Sequence, residues 1–144
     1  MGHWGVKSYE NDETSDALDV GFDRVHGDRY DELMDDRNPM PFEQVQQTLA
    51  DRRTLAASIE ALREAIGPGV APDDWDDESR LAMVGVIVRY AELKVPIPAE
   101  WRDRAIAWLE GESIDWQEAT ARRMRREKEI ERLRRAVTAD PAGP

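Results

Sequence analysis

Asp12, Asp16, Asp19, Asp23 and His26 are the residues whose types and spacing come closest to a reactive site. At 3.6 residues per turn these positions fall on one stripe of a helix. Carboxylate oxygens beside an imidazole can hold a divalent metal, and a bound metal could serve a hydrolase. Such a site needs ligands converging from other elements. The second histidine, His3, lies in the N-terminal arm, and no Glu-x-x-His pair of the kind that builds carboxylate metal centres in helix bundles is present. The stripe reads better as an acidic face open to water. Like charges at i, i+4 cost roughly a few tenths of a kcal/mol per pair. A helix that tolerates several is suited to a basic partner.

The opposite charge is concentrated at the other end of the chain. Residues 1–112 hold 12 basic and 25 acidic residues, a balance of -13; residues 113–144 hold 8 basic and 6 acidic, a balance of +2. Arg122, Arg123, Arg125 and Arg126 are the densest basic cluster, with Lys128, Arg132, Arg134 and Arg135 behind them. They suit nucleic-acid contact or docking on an acidic surface. They also suit a solvated helix with internal pairs Glu118–Arg122, Arg123–Glu127, Arg125–Glu129 and Glu131–Arg135. A net charge of -11 opposes nucleic acid as the main partner, because the phosphate backbone needs a positive field. A basic protein surface is the partner expected.

Other chemistry has little foothold. Asp73-Asp74-Trp75-Asp76-Asp77-Glu78 lacks the ligand spacing of a calcium loop, and reads as helix capping with Trp75 as a hydrophobic staple. No P-loop, G-x-S-x-G or G-x-G-x-x-G occurs, and without cysteine there is no thiolate nucleophile or Cys-ligated zinc. No catalytic residue and no cofactor is expected. The opening residues lack the apolar stretch of a signal peptide, Val6 departs from a myristoylation motif, and no run is long enough to span a bilayer. The expectation is a soluble cytoplasmic protein.

Helical periodicity must position these groups. Asn11 is placed to cap a helix over 12–26 with Leu18, Phe22 and Val25 inward, ended by Gly27. Shorter helices follow over 28–36, with Tyr30, Leu33 and Met34 inward, and over 42–49 after Pro41. Asp51 caps the clearest helix, where Leu55, Ile59, Leu62 and Ile66 recur before Gly67-Pro68-Gly69. Residues 78–94 are apolar almost all round and predict the central helix. Val95–Pro98 predicts an extended connector, and 99–110 a helix burying Trp101, Ala105, Trp108 and Leu109. A long polar helix over about 114–138 would carry Trp116, Met124, Ile130, Leu133 and Val137.

The opening motif adds a resemblance. Gly2, Trp4, Gly5, Tyr9, Asn11, Asp12, Asp16 and Leu18 resemble the start of a bacterial family catalogued as domain of unknown function 4259. That family begins MGxWGxGxFxND and runs into an Ala-x-Asp helix. Lys7 stands where the family usually has Gly, Tyr9 where it has Phe, and Ala17-Leu18 where Trp-Leu is common. The resemblance covers about the first 25 residues and fades by Ile66; it implies a fold and no reaction. Trp4 and Tyr9 are expected to lie as a lid over one end of the bundle.

Together these observations predict an all-α, single-domain bundle of about six helices, with an acidic body over 1–112 and an Arg-rich helix in 113–144. The function expected is a non-enzymatic protein-interaction module presenting Asp12, Asp16, Asp19 and Asp23. Alternatives are a metal-binding protein or hydrolase using Asp16, Asp19, Asp23 and His26, and nucleic-acid binding through the Arg-rich helix.

Overall fold

The computed structural model describes residues 8–9, 11–35, 37–112 and 119–139. Among them are seven α-helices in one all-α bundle: α1 (Asp12–His26), α2 (Asp28–Leu33), α3 (Phe42–Leu49), α4 (Arg52–Ile66), α5 (Asp77–Glu92), α6 (Ala99–Glu110) and α7 (Ala119–Arg135). None of the described helices is long and apolar enough to cross a membrane.

Caps set most of the boundaries. Asn11 accepts from the Thr14 amide at 2.8 Å, Asp51 forms a reciprocal capping box with Thr54, and Asp76 accepts from the Ser79 amide. Each satisfies an amide that the first helical turn would otherwise leave unpaired. α5 is the axis of the bundle and packs against α1, α4, α6 and α7. Residues 82–91 are buried without a break, as a helix apolar on every side requires. Phe22 is fully buried and stacks between Tyr30 and Tyr90, with ring centroids at 5.6 and 6.2 Å. Gly21 lets α1 approach α4 closely, since a Cβ there would stand 2.0 Å from Ser58 Oγ.

Several details differ from the sequence expectations, each for a packing reason. Trp75 is not a staple on its own helix, because the position it would pin is Arg80. It joins a tryptophan cluster instead, 6.1 Å from Trp101 and 5.7 Å from Trp108. Met34 falls just past the end of α2 and is 39% exposed. α7 ends at Arg135, and Thr138–Ala139 are extended, pairing in parallel with Ile97–Pro98. Met124 and Val137 lie outside at 60% and 67% exposure. The inward stripe of α7 is Arg122, Arg125, Arg126, Glu129, Ile130 and Leu133, at i, i+3, i+4, i+7, i+8 and i+11. Its periodicity is helical but its first two turns are ionic. Trp4, Trp116 and Glu118 lie outside the described residues.

Lys94 follows α5 with φ of 63°, and is the one non-glycine residue with positive φ among those described. The Val95 amide donates to the Tyr90 carbonyl and the Lys94 amide to that of Ala91, both at 3.0 Å. This is a Schellman termination with lysine where glycine is favoured. The left-handed region costs an L-residue about 1–2 kcal/mol, part of which glycine returns through its more mobile unfolded state. Lys94→Gly is therefore expected to raise stability by about 0.5–1 kcal/mol in urea denaturation. A loss of stability would show that the lysine side chain carries a contact worth more than the strain.

Candidate functional site

Charged side chains join the first turns of α7 to the body, while Ile130 and Leu133 pack on the core further along. Arg122 is fully buried and donates from Nε and Nη2 to both carboxylate oxygens of Glu112, at 2.9 and 2.6 Å. Its Nη1 reaches Glu129 Oε1 at 2.9 Å, and Nη2 also reaches Ser8 Oγ at 3.0 Å. Glu129, 2% exposed, accepts from the Ser8 hydroxyl at 2.6 Å and the Ser8 amide at 2.9 Å. Burial acts to lower the pKa of the Arg122 guanidinium, but Glu112 and Glu129 more than offset this, and the net shift is upward. The cation is fixed.

The chain of charges continues across the molecule. Arg125 lies between Glu129, at 3.6 Å, and Glu92, at 2.5 Å. Glu92 accepts from Arg89 at 3.2 Å and from the Tyr9 hydroxyl at 3.0 Å. Arg89, buried in the last turn of α5, donates to Gln46 at 2.7 Å and has its guanidinium carbon 5.4 Å from the Tyr9 ring centroid. Signs alternate from Glu112 through Arg122, Glu129, Arg125 and Glu92 to Arg89, so each buried charge has an opposite neighbour. The carboxylates here already accept from guanidinium, hydroxyl or amide donors. That arrangement fastens Ser8 and Tyr9 to α5 and α7 and offers no open group for acid–base work.

The four arginines singled out in the sequence thus separate. Arg122 faces the core and Arg125 is tied to Glu92 and Glu129. Arg126 donates to the Glu112 carbonyl at 3.2 Å, and Arg123 is exposed. Of the internal pairs expected, Arg125–Glu129 and Glu131–Arg135 are present at 3.6 and 2.6 Å. No Arg123–Glu127 ion pair occurs among the described residues. Sequence reasoning missed Ser8, Arg89, Glu92 and Glu112, and read Glu129 only as half of a solvated i, i+4 pair, not as a buried carboxylate. Two signals were present: an arginine inside the apolar run of α5, and charged residues in phase with Leu133.

α1 shows the reverse arrangement. Asp12, Asp16 and Asp23 are exposed, and their side chains make no hydrogen bond or ion pair among the described residues. Asp19 accepts from the Tyr30 hydroxyl at 2.6 Å. Burial first, then that hydrogen bond, raises the pKa of the Tyr30 phenol well above its ordinary value, so it remains a donor. His26 is half-buried, with Nε2 2.8 Å from the Leu49 carbonyl and 4.0 Å from Asp51. The structure therefore spreads the proposed ligands along the helix, and no group of three His, Asp or Glu residues suited to a metal occurs among the described residues.

Beside this stripe a groove of about 420 Å³ runs between α1, α4 and the start of α5. Its charged lining is wholly acidic (Glu13, Asp16 and Glu78), over a floor that includes Val20, Leu62 and Ile66. A second groove, of about 480 Å³, lies at the opposite end of α5 against α7. Comparison of the chain with protein-family models, curated proteins and solved structures found no match.

Proposed function

We propose that the protein is a non-enzymatic binding module that offers the acidic face of α1, and the groove beside it, to a basic segment of a partner protein. One observation carries this. The Arg122 and Arg125 side chains are consumed by Glu112, Glu129 and Glu92, whereas those of Asp12, Glu13, Asp16, Asp23 and Glu78 have no partner among the described residues. The acidic excess of the body therefore faces solvent uncompensated, and steers cations toward α1. A helical segment with lysines flanking an apolar ridge matches both features: its ridge meets Val20, Leu62 and Ile66, and its lysines meet Glu13, Asp16 and Glu78.

The test is fluorescence anisotropy with a labelled amphipathic peptide of Lys and Leu, titrated against the full chain at two salt concentrations. Affinity should fall as salt rises. Asp16→Lys/Glu78→Lys should weaken binding about tenfold or more. Both residues are exposed and form no ion pair or hydrogen bond among the described residues, so the variant should remain within about 1 kcal/mol of wild-type stability per substitution, the larger loss falling on Glu78 in the first turn of α5. Unchanged affinity in that variant would count against the acidic face as the binding surface.

A further inference from the structure

We propose that the second groove is a binding site for a small organic anion, with Lys94, Lys128 and Arg132 holding its charged head and Ala91, Val95 and Val137 receiving its apolar body. The site is independent of the acidic face. Ala82 lines one groove and Ala91 the other, and nine helical residues place them about 14 Å apart along α5. At about 480 Å³ the cavity falls within the size range of small-molecule sites.

The charges lining it are not all matched. Arg125 is taken by Glu92 and Glu129, and Arg135 by Glu131 at 2.6 Å. The side chains of Lys94, Lys128 and Arg132 form no ion pair or hydrogen bond among the described residues, yet all three border one groove. Lys128 and Arg132 are an i, i+4 pair of like sign, which is repulsive on a helix surface. In a chain of net charge -11, an unmatched cluster of cations runs against the overall balance.

Helix dipoles account for only part of the cluster. A cation near the last turn of a helix is favourable, which covers Arg132 and the charge of Lys94. It does not cover Lys128, about two turns before the end of α7. Nor does it account for a lysine held at φ of 63°, where glycine would sit without strain. A lysine at this φ is strained, and it places a cation beside the groove. Ammonium groups as point charges and a guanidinium fork together suit a phosphate monoester or a carboxylate. The apolar lining suits a hydrocarbon or ring attached to it.

The experiment is amide NMR on the full chain at low salt, titrated with hexyl phosphate, hexanoate and hexanol. Either anion should shift the amides of residues 91–95 and 128–137, and hexanol should bind much more weakly than the better anion. Tighter binding of hexyl phosphate would identify a phosphate ester as the ligand class, and tighter binding of hexanoate a carboxylate. Lys94→Gly and Arg132→Ala should each weaken the preferred anion about tenfold. Because Lys94→Gly should melt no lower than wild type, its loss of binding cannot be assigned to unfolding. The proposal is overturned if neither anion shifts these amides, if hexanol binds as well as the anions, or if both variants keep wild-type affinity.

Discussion

Arg122→Ala is expected to lower folding stability by about 3–5 kcal/mol, the loss typical of removing one member of a buried ion pair. The substitution leaves the buried Glu129 carboxylate without one of its cations and removes a donor from Ser8 Oγ. It also releases Glu112, whose two carboxylate oxygens accept from Arg122 Nε and Nη2. The size of this loss would not measure the worth of the pair, because most of it is the cost of stranding Glu129 in the interior. The double variant Arg122→Met/Glu129→Leu separates the two. It removes both charges at similar volume, so its loss should be far below the sum of the single losses in urea denaturation. A loss under 1 kcal/mol for Arg122→Ala would instead show a solvated arginine, free for outside partners.

Gly85→Ala should destabilise by about 1–3 kcal/mol, although alanine is the better helix former by about 1 kcal/mol. The reason is steric. A Cβ on Gly85 would stand 2.5 Å from the Ser8 carbonyl, 2.5 Å from Thr14 Oγ1 and 2.9 Å from Tyr9 Cα. Backbone, not a flexible side-chain tip, must therefore move. Lifting Ser8 and Tyr9 would pull them from Glu129 and Glu92 and disturb the hydrogen bond from Thr14 to the Ala82 carbonyl. In thermal melts both Gly85→Ala and an exposed Ala56→Gly control should fall below wild type, the first through packing and the second through helix propensity. If Gly85→Ala raises the melting temperature, Ser8 and Tyr9 do not rest on α5.

The elements that could be read from sequence are those set by local rules. Asn11, Asp51 and Asp76 cap because a short oxygen side chain can reach the third amide beyond it, whatever the rest of the fold does. The burial of α5 followed from residues that are apolar on all sides. α7 is less legible, because most of its inward positions are charged rather than apolar. Met124 and Val137 fitted a pattern of hydrophobicity, but Arg122 and Glu129 occupy the buried stripe because Ser8 and Glu112 meet them there. Ser8 and Glu129 are 121 residues apart, and no spacing rule joins them. Trp75 was misassigned for the same reason, since Trp101 and Trp108 reach it only in the folded state. Conversely, the exposed stripe on α1 was legible because a single helix presents it, while its groove needed α4 and α5 to be in place.

One measurement tests the proposed binding module most directly: parallel titrations of the full chain at physiological salt with a labelled Lys/Leu amphipathic peptide and with labelled DNA and RNA. The surface that faces solvent carries acids on α1 with no partner among the described residues, and potentials around it decay over a Debye length of about 8 Å. Arg122 and Arg125 are engaged by Glu112, Glu129 and Glu92 and add little outward positive field. We expect the peptide to bind, to shift amides of α1 and the start of α5, and to weaken as salt rises, with no appreciable nucleic-acid binding. Sub-micromolar binding of DNA or RNA by a chain that ignores the peptide would contradict it.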